Sequence, residues 1–177
     1  MRPQTNEYPA YFENYIPLVK QQNVLEALAE TKKTALEFIS RIDPSLENFA
    51  YAEGKWTIKQ VLIHCIDTER IFSTRAMGFA RGETQKALSF DQNSYADNSH
   101  ADARTLTDIA QEMDLVSSAT LALFRSFSDQ VLQAKGEFPS GSTTVNAIGF
   151  TICGHTLHHL NVMSERYLKA NAGVAKQ

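Results

Sequence analysis

The sequence predicts an all-α fold, a four-helix bundle in which a long crossover joins the second and third helices. Three observations predict it. Four long segments repeat apolar residues at the helical period of about 3.6. Glycine and proline are scarce, 8 and 5 residues, and most of them fall outside those segments. No stretch shows the alternation of a half-buried strand.

The first helix is expected over about 24–42. Asn23 and Glu26 have the spacing of a capping box, Leu25, Leu28, Ala35, Leu36 and Ile39 form the stripe, and Asp43-Pro44 stops it. The second is expected over about 58–81. Thr57 and Gln60 repeat the capping spacing, and Trp56 can fold back on the first turn as a hydrophobic staple. Its stripe is Ile58, Leu62, Cys65, Phe72, Ala76 and Phe79, and Gly82 is the natural stop. The third, about 106–127, starts from Thr105 and carries Leu106, Ile109, Met113, Val116, Thr120, Leu123 and Phe127 on one side. The fourth, about 145–170, starts from Thr143 or Thr144 and carries Val145, Ile148, Ile152, Val162 and Met163, with Gly173 beyond its end.

The connections span about 15, 24 and 17 residues, all longer than the 2–8 usual between neighbours in simple bundles. The second helix is ~36 Å long at ~1.5 Å per residue. About 20 extended residues cover ~66 Å, so the connector 82–105 can return to the starting end and set the third helix parallel to the second. The first 21 residues form an arm expected to pack on the bundle, because Tyr8, Tyr11, Phe12, Tyr15 and Ile16 are too apolar for a free tail. The expected organisation is one domain over 1–177.

Composition narrows the function classes. The chain is 43% hydrophobic and 21% charged, ordinary for a globular domain. Its net charge is −3, and the densest basic spot, Lys32-Lys33, is flanked by Glu30 and Glu37. That argues against nucleic acid as a partner. No apolar stretch approaches the roughly 18 residues of a membrane span, and the N-terminus lacks the apolar region of a signal peptide. A cytoplasmic location without membrane contact is expected. Cys65 and Cys153 are far apart in apolar surroundings, which excludes a zinc knuckle and argues against a disulfide framework. A chain of this length needs no metal merely to fold, so a bound metal would be there for chemistry.

Five histidines carry the functional signal. His155 and His159 stand one turn apart on the core-facing stripe of the fourth helix, so both rings can reach one ion. Two core histidines held by hydrogen bonds are the competing reading. His158 lies at the stripe's edge. A third ligand must come from another helix, and His64 is the candidate, although it sits roughly 100° from the stripe centre of the second helix. His100, in the long connector, is expected to be exposed. Glu69 lies nearer the stripe centre and could be a ligand, a base, or the partner of Arg70 or Arg75. Three neutral imidazoles leave coordination positions open, as in catalytic sites. All-nitrogen ligation suits Zn, Ni, Cu or Fe and does not choose among them; the expected ion is Zn or Ni, with Mn or Fe as alternatives.

These residues resemble a known family. The run Gly54-Lys55-Trp56-Thr57-Ile58-Lys59-Gln60-Val61-Leu62-Ile63-His64, continued by Asp67-Thr68-Glu69-Arg70, looks like the second helix of the DinB/YfiT-like superfamily. Gly154-His155-Thr156-Leu157-His158-His159-Leu160 looks like its last helix. Phe79-Ala80-Arg81-Gly82-Glu83, Phe90-Asp91-Gln92-Asn93-Ser94-Tyr95 and Thr120 to Ser126 also match, as does Arg2-Pro3 with Tyr11 to Tyr15. The resemblance implies an up-down-down-up bundle and a metal triad of His64, His155 and His159. It also implies a metal-activated nucleophile acting on a small electrophilic substrate. Relatives include transferases that use low-molecular-weight thiols such as bacillithiol or mycothiol, and metal-dependent hydrolases. A thiol cosubstrate is therefore implied for the transfer reaction, and a cationic patch from Arg70, Arg75 or Arg81 would favour it. Glu69, Asp67 and His158 are the candidate acid/base groups around the metal, and Asp91 and Tyr95 are candidates for the substrate rim. Relatives are often dimeric, so a homodimer is the candidate assembly. The alternative function is a non-catalytic metal- or small-ligand-binding bundle of the stress response, and a plain structural bundle is the third.

Overall fold

The computed structural model describes residues 1–168. Six α-helices and one hairpin follow an N-terminal arm: α1 (Val24–Ser40), α2 (Ile58–Ala80), α3 (Gln92–Asp97), α4 (Leu106–Arg125), α5 (Asp129–Leu132), β1 (Lys135–Phe138), β2 (Gly141–Thr144) and α6 (Val145–Val162). The four long helices begin at the expected residues and stop one or two residues early, except that α6 passes into a π-helical turn, Met163–Leu168. The end expected for the fourth helix, Ala170, and Gly173 lie outside the described residues.

The helix starts follow from their caps. Thr57 Oγ1 accepts from the Gln60 amide at 3.2 Å while Gln60 Oε1 accepts from the Thr57 amide at 2.9 Å, a complete reciprocal box. Asn23 makes only the forward half, accepting from the Leu25 and Glu26 amides. Thr105 caps α4 and Thr144 caps α6. After α2 the chain turns at Gly82, whose φ of +84° is open to glycine without steric cost.

Contacts between helix ends give the bundle its directions. α1 and α2 each pack on α4 and α6. A Cβ added to Gly149 would lie 2.4 Å from Val24 and 2.7 Å from Phe124, so the start of α1 meets the start of α6 and the end of α4. The Lys59 ammonium donates to the carbonyls of Asp102, at 3.3 Å, and Arg104, at 2.8 Å, which ties the start of α2 to the start of α4. His64, in the second turn of α2, meets His155 in the second half of α6. Thus α1 is parallel to α6, α2 is antiparallel to α6 and α4 is parallel to α2. The order is up-down-down-up, and the connector 82–105 makes the crossover.

Two apolar clusters fill the bundle, one around Phe12, Phe124, Phe138 and Phe150, the other around Ile58, Leu62, Ile66 and Ile109. Thr31, Glu69, Ser117 and Thr156 line a small cavity of about 10 Å³ that also reaches Cys153, room for no more than one water. The arm is buried through Tyr8, Phe12, Ile16 and Val19, whereas Tyr11 is exposed. Cys65 and Cys153 are free and buried, and burial pushes the Cys153 thiol up to about 12, which keeps it protonated.

One expectation fails. The segment 135–144 is an antiparallel hairpin with Lys135 opposite Thr144 and Phe138 opposite Gly141. Each strand has four residues, and Phe138 is the one large apolar side chain in the pair, so the alternation is too short to register in the sequence. The Ala87 amide donates to the Glu137 carbonyl at 2.8 Å, so the hairpin also holds the crossover connector. None of the described helices is long and apolar enough to cross a membrane.

Candidate metal centre

Helix α2 lies between α4 and α6, so a wide arc of it is buried. This is why His64, well off the stripe centre, is only 4% exposed. Its Nε2 lies 3.1 Å from His155 Nε2, which lies 3.2 Å from His159 Nε2. One ring nitrogen from each of the three comes within 4.8 Å of the others, and this is the one group among the described residues able to hold a metal ion. Zinc–nitrogen bonds of about 2.0–2.1 Å would set tetrahedral ligand nitrogens roughly 3.3–3.4 Å apart, close to the observed separations. His64 Nδ1, on the far side of the ring, is buried without a hydrogen-bond partner. The donor set and spacing therefore fit a divalent ion.

The rings are held by aromatic neighbours. Trp56 lies 4.8 Å from His64 between centroids, and Tyr15 sits edge-on to His155 at 5.4 Å and to His158 at 5.6 Å. Burial pushes the Tyr15 phenol up, with help from its 3.1 Å hydrogen bond to the Tyr11 hydroxyl, so it stays protonated.

Burial is also the first cause of the depressed imidazole pKa values. His64 falls to about 4. His159 falls to about 3, through burial and then the neighbouring His64 and His158. His155 falls well below the ordinary value, through burial and then His159, His64 and His158. All three are neutral at physiological pH, the form that binds metal. The metal-free fold is therefore expected to weaken in acid. Below the ordinary histidine pKa of about 6.5 the unfolded chain takes up protons that the folded sites refuse. Each such imidazole lowers stability by up to about 1.4 kcal/mol per pH unit. Denaturation midpoints in chelator should be level above about pH 6.5 and fall steadily toward about pH 4. A midpoint unchanged across that window would mean the rings are open to protons.

The other sequence candidates are distributed differently. His158 is half-buried and borders the triad, edge-on to His159 at 5.2 Å. Glu69 turns toward α4, where the Ser117 hydroxyl donates to its Oε2 at 2.9 Å. Burial raises its pKa against the opposing Thr120 and Ser117 hydroxyls. Asp67 pairs with Arg70 at 3.7 Å, and Arg70 bridges to Glu112 on α4. Asp91 caps α3 by accepting from the Asn93 and Ser94 amides, and exposed Tyr95 packs edge-on against Phe90. Neither lines the cavity described below, although their neighbours Phe90 and Gln92 do. His100 is exposed, as expected.

A cavity of about 320 Å³ opens onto His64 and His155. Its walls come from the arm, the face of α2 beyond His64, the connector 88–92, the hairpin tip and the first half of α6. Thr68, Arg75 and Thr151 line it and went unnamed as site residues from sequence, apart from Arg75 as one of three patch arginines. Helical spacing could have found them: Thr68 and Arg75 follow His64 by one and three turns, and Thr151 precedes His155 by one. A second concavity of about 230 Å³, lined by Trp56, Lys55 and Tyr167 among others, borders His159.

Comparison with known proteins agrees with this architecture. The sequence pattern described as the DinB superfamily matches residues 22–163. YfiT from Bacillus subtilis, described as "a probable metal-dependent hydrolase with an unusual four-helix bundle topology", superposes with a TM-score of 0.68 at 20% identity, covering 97% of this chain and 94% of its own. A mycothiol-dependent maleylpyruvate isomerase superposes at 0.65 with 10% identity, over 78% of this chain and 58% of its own, so this chain spans little more than half of that enzyme. A DinB-like protein from Bacillus subtilis gives 0.59 at 14% identity, over 84% and 92%. No curated protein sequence matches the chain.

Proposed function

The chain belongs to the DinB superfamily, and from that premise we propose that it is a divalent-metal-dependent enzyme acting on a small electrophile, by thiol transfer or by hydrolysis. The observation that carries the reading is the convergence of three neutral imidazoles, two of which, His64 and His155, line an open cavity. His64, His155 and His159 would be the ligands, for Zn or Ni in the first place. A bound ion would supply Lewis acidity that lowers the pKa of a thiol or a water toward neutrality.

The chain's own residues do the rest. α2 and α6 fix the three rings from opposite directions. The arm and the hairpin tip wall the cavity with Tyr11, Phe12, Tyr15 and Phe138, an aromatic lining beside the reacting groups. His158 is the group best situated to move a proton near the triad. Thiol transfer is the preferred reaction, supported by the resemblance to thiol-dependent relatives and by a cation in the cavity wall. Of the three arginines named from sequence, Arg70 is engaged by Glu112 and Arg81 is exposed, leaving Arg75 in the cavity.

The test offers 1-chloro-2,4-dinitrobenzene to zinc- and nickel-loaded protein, with and without cysteine-containing thiols. Thiol-dependent loss of the electrophile above the uncatalysed rate supports transfer. Metal-dependent loss without thiol supports hydrolysis. Metal binding without turnover over a broad electrophile panel returns the protein to a ligand-binding bundle.

A further inference from the structure

Beyond its metal ligands, the cavity carries an organised row of polar groups along α2. His64, Thr68 and Arg75 lie at i, i+4 and i+11, within about 40° of one another at ~100° per residue. Along the helix axis His64 and Arg75 are about 16 Å apart at ~1.5 Å per residue. The arginine side chain leans back toward the helix N-terminus, which brings its guanidinium nearer the triad.

Two of these groups have an unmet polar requirement among the described residues, Thr68 for a hydrogen bond and Arg75 for a counter-ion. Thr68 is 5% exposed, lines the cavity, and its hydroxyl has no hydrogen bond. Arg75 is half-buried and forms no ion pair with any carboxylate among the described residues. Its guanidinium is held between aromatic faces, 5.2 Å from the Phe72 centroid and 4.9 Å from that of Phe138, and donates to the Leu88 carbonyl. No acidic side chain lines the cavity. Glu83 lies in the adjoining groove that Arg75 also borders, without pairing with it. A half-buried cation packed in place and left without a counter-ion is preorganised for an anion that arrives with a ligand.

We propose that Arg75 is the carboxylate-binding residue of this cavity. Its substrate is then a carboxylate-bearing small molecule with an apolar middle, anchored at Arg75, passing the Thr68 hydroxyl and presenting its reacting end to His64 and His155. The inference rests on the metal-enzyme reading for the reacting end, while the anion subsite stands on Arg75 itself. The carboxylate can belong to the thiol or to the electrophile.

Two matched pairs test this by calorimetry on metal-free and zinc-loaded protein: N-acetylcysteine against its amide, and cinnamate against cinnamamide. In wild-type protein at least one acid should bind ten- to a hundred-fold tighter than its amide, the range of a charge-assisted contact. Arg75→Gln should erase that preference and Arg75→Lys should keep part of it. Preference in the thiol pair assigns the carboxylate to the thiol, and preference in the cinnamate pair assigns it to the electrophile. Arg75 also packs on two rings, so Arg75→Met, which keeps the stem, must likewise lose the preference while melting near wild type. No acid-over-amide preference in either pair, or a preference that survives Arg75→Gln and Arg75→Met, overturns the proposal. The same titrations on His155→Ala/His159→Ala protein separate the two ideas. A preference retained there supports the anion subsite even if the metal reading fails. Zinc bound by wild-type protein that shows no preference sinks the subsite alone.

Discussion

Protein carrying His155→Ala and His159→Ala, purified without a metal-affinity tag, is expected to contain essentially no divalent metal, where wild type contains close to one equivalent. His64→Ala should do the same, because the three Nε2 atoms lie together across two helices and are the proposed ligand set. Changes one shell further out already cost about 10–100-fold in affinity, so loss of a ligand should cost more. The fold itself should survive, since two apolar clusters hold the four helices together and these changes remove no apolar side chain from either. Linkage gives a second measurement. Zinc at about 1,000 times its Kd should stabilise wild type by about 4 kcal/mol. For a chain of this size that is a rise in Tm of roughly 8–16 °C. The variants should show no rise. Wild-type protein that stays metal-free after incubation with Zn, Ni, Mn and Fe would remove the basis of the enzyme reading, as would variants that keep their metal.

The second large effect is expected from Gly154→Ala, one residue before a proposed ligand. A Cβ there would lie 2.2 Å from the Tyr15 carbonyl oxygen and 2.4 Å from its carbon. These are backbone atoms of the arm, in a segment that packs directly on α6 through the 3-10 turn Ile16–Leu18. A side chain could rotate away, but this backbone must move. The arm should lift, taking Tyr15 from the edge of His155 and opening the cavity wall built by Tyr11 and Phe12. Overpacking of this kind costs about 1–3 kcal/mol, and residues 1–21 should become sensitive to limited proteolysis. Metal content should persist, because no ligand is on the arm. An unchanged melting temperature with an equally protected arm would show that the arm backbone shifts enough to admit the methyl group, and would overturn this prediction.

The two experiments probe different parts of one design. The triad joins α2 to α6 inside the bundle, while the cavity above it is assembled from pieces far apart in sequence. That separation explains which parts of the site were legible beforehand. His155 and His159 are one turn apart, so a local rule brings them together. His64 was named from sequence as the third candidate, and the antiparallel packing of α2 on α6 is what brings it to the other two. Its position off the stripe made sense only once α2 was seen between two neighbours. Asp91 and Tyr95 are in the connector near the cavity, but the Asp91 carboxylate caps α3 and the Tyr95 ring packs on Phe90. Phe90 and Gln92 face the cavity in their place.

By itself, the sequence determined the four long helices, their caps at Asn23, Thr57 and Thr105, a fourth cap at Thr143 or Thr144 that the structure places at Thr144, and the stop at Gly82. Each depends on interactions within a few residues, which spacing and side-chain chemistry specify. It also determined that the connector is long enough for a crossover. Only the tertiary structure decided which helices are neighbours and that the hairpin 135–144 exists. It alone turned Glu69 toward Ser117 and left Arg75 without a counter-ion between Phe72 and Phe138. The physical reason is that burial and charge pairing depend on distance in space. Phe138 comes 63 residues after Arg75 in the chain, and no local pattern records that they meet.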